Sequence, residues 1–522
     1  MNQDYQLSKR TLVATAFIIC LIVAICGIMS LMVVSDPAVK YSQIMVKAAM
    51  ALRDYYPDSL DWGKTISSAR QAMMDELDPF SGYVRKEQLQ QFEDDLSGGY
   101  FGIGVSVVPV DSGLLIYDVR EGGPAASTGV LPGDIIIASD TIILKDLDPT
   151  EALVVIRGKE NTIFSAKIFR PATLDTLSFE IIRKRIGFLH IPFAGFTADS
   201  VIYIRLLDFN AGASEDFKKA LDSLVGKSGR TARGIIIDLR GNPGGLFFEA
   251  RNIAELFFKQ GEFIVGTSSR SKWDEEQCFA DKDGDYSNLR AAVLIDNGSA
   301  SAAEILAGTL KYSGHGVLVG DTTFGKGLVQ GFIRLPEGDG LKLTISRYFF
   351  EWGRYINPPD SAATVHGVGI APDILYSYIE DELFYLQLEW KLILLRFAHA
   401  HQDEIISSLN DDSLKLQWLE RFEKYALEND FDYKSVITES AELLAEGSQS
   451  PASKRLAERL IKNARQRDQK LFEKYGDFLW LRLCQIAYER KFGSYEAYKV
   501  IVVPKYEPIK IAAAATRPKD SL

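Results

Sequence analysis

A short apolar run that ends in a tight turn and resumes as a helix constrains this chain most. Ala291-Ala292-Val293-Leu294-Ile295 is five consecutive buried-type residues, and it stops at Asp296-Asn297-Gly298. An unbroken run of that length, bounded by turn residues, predicts a core strand. Beyond the turn, Ala302, Ala303, Ile305, Leu306, Ala307 and Leu310 fall at helical spacing. Ser301 is therefore expected where the strand gives way to the helix. That position lifts a side chain out of a sheet and aims backbone N–H groups at whatever sits beside it. A nucleophile with an anion hole can be built there, and so can a closely packed helix start of small residues.

A serine nucleophile needs a base. The chain has only five histidines, His190, His315, His366, His399 and His401. Lys326 is the other candidate, flanked by Gly325 and Gly327, which let the backbone turn sharply and bring the amine close to another group. Burial disfavours the charged form of such an amine, and a neutral amine can take a hydroxyl proton. Gln330, four residues on, is placed to hydrogen-bond it. A Gly-Lys-Gly tripeptide also serves as an ordinary surface turn. Gly320 to Lys326 fits the start of a phosphate-cradling loop, but Gly327 stands where Ser or Thr must hold Mg²⁺. Leu328 to Leu335 then alternates like a strand instead of opening a helix, so the nucleotide reading is rejected.

Upstream, Val201 to Leu206 reads as a strand and Ala213 to Leu224 as an amphipathic helix. Gly234-Ile235-Ile236-Ile237-Asp238-Leu239 is a buried strand running into Arg240-Gly241-Asn242-Pro243-Gly244-Gly245, with a helix from Phe247 to Phe258. Strand, glycine turn, helix, strand is α/β wiring. Tyr100 to Arg183 reads instead as short strands and turns. Phe101-Gly102-Ile103-Gly104-Val105 is a glycine loop feeding an alternating strand, with no third glycine or helix to make a dinucleotide site.

These stretches resemble the carboxyl-terminal processing (tail-specific) serine protease family. The family's serine motif matches Gly298-Ser299-Ala300-Ser301-Ala302-Ala303-Glu304-Ile305, with Ser301 as nucleophile. Its lysine motif matches Thr323-Phe324-Gly325-Lys326-Gly327-Leu328-Val329-Gln330, with Lys326 as base and Gln330 as its positioning partner. The turn after Asp238 resembles the family's Asp-Leu-Arg-x-Asn-Pro-Gly-Gly signature. By that resemblance Gly245 and the amide of Ala302 form an oxyanion hole, a contribution of about 2.7–4 kcal/mol per donor. Some members carry an Asp eleven residues after the nucleophile; here the position is Tyr312, which favours a Ser–Lys dyad. Gly122-Gly123-Pro124-Ala125-Ala126 and Leu131-Pro132-Gly133-Asp134-Ile135 resemble an embedded PDZ domain, in which Gly102, Ile103 and Gly104 would take a peptide carboxylate. His366 to Asp373 resembles the close of the family's catalytic domain. The resemblance implies a multidomain α/β protein with a crotonase-like (ClpP/crotonase) core and an inserted PDZ domain. It implies no cofactor and no metal, and substrates that are polypeptides with free C-termini.

The ends of the chain lie outside those motifs. Thr11 to Val34 is nearly all apolar and follows Lys9 and Arg10, which predicts a single-pass signal anchor in a bacterial inner membrane with the remainder in the periplasm. A cleaved signal peptide is the minority alternative. Residues 38–96 read as a helical segment, with Leu77-Asp78-Pro79-Phe80-Ser81-Gly82-Tyr83 ending a helix. Residues 97–185 are assigned to the PDZ domain, 186–375 to the catalytic domain and 376–511 to a helical region. That region is a candidate cap, homo-oligomerisation element or adaptor surface, and the tail from Ala512 is expected to be disordered. The net charge of −11 argues against nucleic acid as main partner. Four cysteines, two of them in the apolar run, imply no disulfide framework. Asp281 to Asp285 lacks the Glu that a calcium loop needs at its twelfth position and reads as a solvated hairpin turn. His399 and His401 read as surface residues. Two other classes stay open: a catalytically silent PDZ scaffold, and an acyl-CoA enzyme on a similar fold.

Overall fold

The computed structural model describes residues 36–517, apart from 87, 90–98, 111, 121, 141, 148, 172, 228–230, 271–274, 337, 358–367, 377–381, 430, 432, 434, 448–449 and 469. The expected membrane anchor at 11–34 and the family-like residues His366 and Gly367 lie outside this set. Among the described residues no helix is long and apolar enough to cross a membrane. The chain divides into two units, one ending at Glu76 and one starting at Leu77.

The first unit holds two helices, α1 (Pro37–Tyr55) and α2 (Trp62–Asp75). Asp36 caps α1 by accepting from the Ala38 amide at 2.7 Å, with Pro37 at the first helical position. Asp61 caps α2 through the Lys64 amide at 3.0 Å. Such caps satisfy amides that have no partner inside the helix. The helix end expected at Leu77–Tyr83 follows directly, and within the segment read as helical to residue 96 a strand also forms. The helix ends at Asp75, and Asp78 folds the next stretch into a turn that leads to a strand, β1 (Gly82–Val84).

A two-stranded ribbon, β2 (Gly99–Gly102) with β9 (Lys184–Gly187), flanks a small domain. Between them lie β3 (Val105–Val110), β4 (Gly113–Val119), α3 (Pro124–Thr128), β5 (Ile135–Ser139), β6 (Ile142–Ile143), α4 (Pro149–Ile156), β7 (Ile163–Arg170) and β8 (Asp175–Ile182). The sheet order is β3-β4-β5-β7-β8, so among the described residues β3 is an edge strand paired with β4 alone. Ile103, Leu114, Ile116, Ile136, Phe164, Ile168 and Ile181 fill its core.

A mostly parallel six-stranded sheet runs β10 (Phe193–Phe196), β11 (Ile202–Arg205), β12 (Ile235–Asp238), β15 (Ala291–Ile295), β16 (Gly316–Gly320) and β20 (Ile374–Leu375). All neighbours from β11 onward are parallel. Helices α5 (Ala213–Lys227), α6 (Phe247–Glu255) and α7 (Ala302–Tyr312) supply the crossovers. Strand residues alternate between two cores. Ile202, Ile204, Ile235, Ile237, Ala291 and Val293 pack with Phe217, Ile253, Ala303 and Leu306 on one side. Tyr203, Ile236, Ala292 and Leu294 pack on the other.

A second sheet, β1-β18-β13-β14 with β17 and β19 attached to β18, lies across α7. Its strands are β13 (Phe263–Ser269), β14 (Glu276–Phe279), β17 (Leu328–Arg334), β18 (Gly340–Phe350) and β19 (Arg354–Tyr355). Gly308 permits that contact, since a Cβ there would sit 2.3 Å from the Phe350 ring. The stretch 281–289 is a connection between the two sheets and not the hairpin turn expected. Gly284 donates to Phe258 O at 2.7 Å, and its Cβ position is filled by Glu255 and Leu256 carbonyls.

The C-terminal region includes α8 (Glu382–Trp390), α9 (Ile393–Ala400), α10 (Lys415–Glu428) and α11 (Gly476–Phe492) around a core of Phe384, Phe397, Phe422, Leu479 and Leu483. His399 and His401 are half-buried there and not on the surface as expected, and burial pushes the His399 imidazole down to about 4. Cys278 and Cys484 are free and sit in different cores. The tail is also corrected: α12 (Glu507–Ala515) lays Ile509, Ala512 and Ala513 on the second face of the parallel sheet. Ile509→Ala should therefore lower stability by about 2–5 kcal/mol, the usual cost of truncating a buried Ile. Denaturant unfolding followed by tryptophan fluorescence checks it, and an unchanged midpoint would contradict the packing.

Candidate active site

The turn between β15 and α7 is built by its own polar side chains. Asp296 Oδ1 accepts from the amides of Gly241 at 2.7 Å and Gly298 at 3.0 Å, and the Ser299 hydroxyl, fully buried, donates to Leu239 O at 2.8 Å. Ser299 is thereby structural. Ser301 caps α7 with φ 55° and ψ −115° and is half-buried. A non-glycine residue held in such a region costs on the order of 1–3 kcal/mol, so neighbours must over-determine it.

Glu304 is one of those neighbours. Its carboxylate is fully buried, and four donors converge on it. Oε2 accepts from the Ser301 amide at 2.9 Å and the Lys326 amide at 2.8 Å. Oε1 accepts from the Thr323 hydroxyl at 2.6 Å and the Gly325 amide at 2.8 Å. One oxygen thus ties the main chains of the predicted nucleophile and base together. The Tyr348 hydroxyl makes a second tie, lying 3.3 Å from Ser301 O and 2.5 Å from Lys326 O. Asn357 Oδ1 accepts from the Gly327 amide at 2.5 Å, and Ile370 exchanges hydrogen bonds with Thr323.

The Lys326 amine is half-buried. Burial, reinforced by the nearby Lys342 charge, lowers its pKa from the ordinary lysine value, against the opposing pull of Glu304 and Asp78. Nζ lies 3.5 Å from Gln330 Oε1 and 5.1 Å from the centre of the Phe80 ring. Gln330 is itself aimed by its Nε2 donating to Phe80 O at 2.6 Å. Asp78 shapes the Phe80 turn by accepting from the Phe80 and Ser81 amides, and Ser81 Oγ accepts from Thr344 of β18 at 3.0 Å. Among the described residues no hydrogen bond joins Ser301 Oγ to Lys326 Nζ; the amine is turned to Gln330.

Gly244 stands against Ser301, and Gly245 against Phe209. A Cβ on Gly244 (φ 97°) would lie 2.6 Å from Ala300 O and 2.8 Å from both Ala302 N and Ser301 Cβ. A Cβ on Gly245 (φ 150°) would lie 2.5 Å from Phe209 C. Asn242, fully buried, locks this turn: its Nδ2 donates to Leu206 O, its Oδ1 accepts from the Gly244 amide, and its O accepts from Ala300. The Gly245 and Ala302 amides donate to no acceptor among the described residues.

The remaining predicted positions are elsewhere. Gly102, Ile103 and Gly104 form the bend between β2 and β3; Ile103 O accepts from Ala125, and Gly104 (φ 75°) O accepts from Arg120. Tyr312, at the end of α7, packs on Phe350 at 5.3 Å and lies under Arg354. His190 pairs with Asp208 and His315 with Glu262. Glu304 was inside the quoted serine motif but carried no predicted role, and Tyr348 and Phe80 carried none. Glu304 offered one signal, a capping Glu three residues after the helix-entry serine.

An α/β core with a serine at a strand–helix turn and a lysine beside it, joined to a small peptide-binding-type domain, defines a serine peptidase with an embedded PDZ domain. The profile of peptidase family S41 matches residues 200–376, and that of the PDZ domain matches residues 102–181. The carboxy-terminal processing protease CtpB of Bacillus subtilis is 35% identical over 338 residues, 63% of this chain and 66% of that protein. CtpA of the same organism is 31% identical, covering 63% and 67%. The carboxy-terminal-processing protease of Bartonella bacilliformis is 31% identical, covering 62% and 72%. The chain thus spans about two thirds of the length of these relatives. A solved photosystem II D1 C-terminal processing protease aligns over 62% of this chain and 84% of that one, at 24% identity and a TM-score of 0.39. The chain belongs to peptidase family S41.

Glu304→Gln would turn an amide NH₂ toward two of the four donors. It should cost about 1–3 kcal/mol of stability and abolish peptide hydrolysis; paired denaturation and activity measurements check this, and full activity at unchanged stability would contradict the bridging role.

Proposed function

We propose that this protein is a serine endopeptidase in which Ser301 is the nucleophile, Lys326 the general base and Gln330 the residue that steadies the amine. The observation that carries the reading is the single Glu304 oxygen shared by the Ser301 and Lys326 amides. With both main chains anchored, the last approach of Nζ to Oγ is a rotation of the lysine stem, and catalytic hydrogen bonds commonly tighten only when substrate is bound. Ser301 Oγ attacks the scissile carbonyl and passes its proton to Nζ. The oxyanion is held by the Gly245 and Ala302 amides. The leaving amine takes the proton back from Nζ, and water then releases the acyl group with Lys326 again as base.

Polypeptides with a free C-terminus are the substrate class. The loop at Gly102, Ile103 and Gly104 takes the carboxylate, and the open edge of β3 takes the preceding residues as an added strand. The names of the relatives and the edge position of β3 support this. The α/β core follows the crotonase plan, as its helix-backed parallel sheet suggests. Residues 11–34 anchor the protein in a bacterial inner membrane with the catalytic part in the periplasm, on the strength of the apolar run after Lys9 and Arg10.

Ser301→Ala and Lys326→Ala should each abolish cleavage of an unfolded polypeptide without unfolding the enzyme, and amidating the substrate's C-terminus should raise KM. Full turnover by either variant refutes the dyad; silence of the wild type, with intact peptide binding, would mark a scaffold instead. The base must be uncharged, so kcat/KM should rise with pH through the Lys326 pKa. Because burial lowers that pKa, the rise should be centred below the ordinary lysine range. A pH–rate profile with no such limb would count against Lys326.

A further inference from the structure

We propose that the turn at 77–83, which precedes the PDZ domain and lies outside the matched peptidase residues, is a positioning element for Lys326, with Phe80 as its positioning residue. The inference rests on the serine-peptidase reading above. The turn acts on the base twice. Phe80 O accepts from Gln330 Nε2 at 2.6 Å, which leaves Gln330 Oε1 facing Lys326 Nζ at 3.5 Å. A carboxamide has one donating and one accepting end, so fixing the first aims the second. The Phe80 ring lies under the same amine, with Nζ 5.1 Å from its centre, within reach of a cation–π contact. Carbonyl and ring of one residue thus act on one amine, the first through Gln330 and the second directly.

A positioning residue must itself be held. Asp78 Oδ1 accepts from the Phe80 amide at 3.0 Å and the Ser81 amide at 3.1 Å, and Oδ2 from the Ser81 hydroxyl at 2.8 Å. The chain then enters β1, whose Gly82 pairs with Lys342 of β18. Strand β17 carries Gln330 and sets it opposite Thr344 of the same β18. Thr344 in turn donates its amide to Ser81 Oγ at 3.0 Å. At the other end of β1, Asp339 takes the Tyr83 hydroxyl and, at 2.9 Å, the Lys86 amide. One strand, β18, therefore keeps the turn and Gln330 in register with each other.

The charged groups that act on the amine come from three elements. Lys342 of β18 disfavours the ammonium form, whereas Glu304 of α7 and Asp78 of the turn favour it. The phenyl face favours it as well, because a ring quadrupole attracts a cation. Replacing the face with apolar bulk should let the amine lose its proton at lower pH and should also release it from its place. Phe80 is half-buried, and the hydrogen bonds named for it are made by its main chain, so a leucine there leaves the turn standing.

The test compares the full chain with Phe80→Leu, Phe80→Tyr and Ser301→Ala. Hydrolysis of an unfolded polypeptide, its pH–rate profile and thermal unfolding are read for each. Phe80→Leu should lower kcat on the alkaline plateau by about fivefold, with KM within about twofold and an unmoved melting temperature. Its kcat/KM limb should move to lower pH by about half to one unit. Phe80→Tyr restores the aromatic face and should recover both rate and limb. A fall in rate with an unmoved limb marks mere packing and overturns the inference. So does a wild-type rate in Phe80→Leu, or a Phe80→Tyr as impaired as Phe80→Leu. Each of these, beside an inactive Ser301→Ala, overturns this inference alone. A wild-type rate in Ser301→Ala, or a wild-type profile with no limb, overturns the peptidase reading and this inference with it.

Discussion

A buried carboxylate that accepts four hydrogen bonds is the contact on which the site depends. Taking a carboxylate out of water costs several kcal/mol unless its lone pairs are met. Glu304 offsets part of that cost with two loop amides, the helix-entry amide and one hydroxyl, and burial still raises its pKa from the ordinary glutamate value. It also sits in the first turn of α7, where the helix dipole favours negative charge. The same charge works against a neutral Lys326. Burial and Lys342 outweigh it, and the amine's pKa stays lowered. Anchoring Lys326 through its backbone amide, while its side chain reaches toward Gln330 and Phe80, lets one carboxylate position a lysine without pairing with its amine.

The C-terminal region has a structural reason to exist beside this core. Strands β12 and β15 are buried at every residue. A parallel sheet of that kind needs cover on both faces, because its backbone and alternating side chains leave no face suited to water. Helices α5, α6 and α7 cover one face. Val502, Val503, Tyr506, Ile509 and Ala512 cover the other. The matched peptidase residues end at 376, so the second cover comes from chain well beyond the family's own segment.

Local pattern was enough for much of this. The runs at 235–238 and 291–295, the glycine turns after them and the helices at 213–227 and 302–312 are each set by neighbours in sequence, and their periodicity announces them. Ser301, Lys326, Gln330, Gly245 and Ala302 were readable as candidate site residues because short motifs carry them. What escaped was contact at long range. Gln330 binds a carbonyl 250 residues away at Phe80, and Tyr348 reaches Lys326 across a β-strand pair. Nothing near Leu77–Tyr83 marks it as more than a helix end. The tail Ala512-Ala513-Ala514-Ala515 carries too little polar contrast to reveal a buried face. Its alanines are nonetheless strong helix formers, small enough to lie close on a sheet.

Strain explains why the geometry of the turn needs so many clamps. Ser301 holds a positive φ without the freedom of glycine, and Gly244, Gly245 and Gly325 hold φ of 97°, 150° and 97° around it. A loop left to itself would relax such a residue toward ordinary backbone. Here relaxation would break the Glu304 bond to its amide, free the Tyr348 contact to its carbonyl and push Ala300 or Ala302 into Gly244. Each of these contacts is modest, and together they leave Ser301 one place to be. A side chain fixed in that way has its orientation set before any substrate binds, so binding need not supply it.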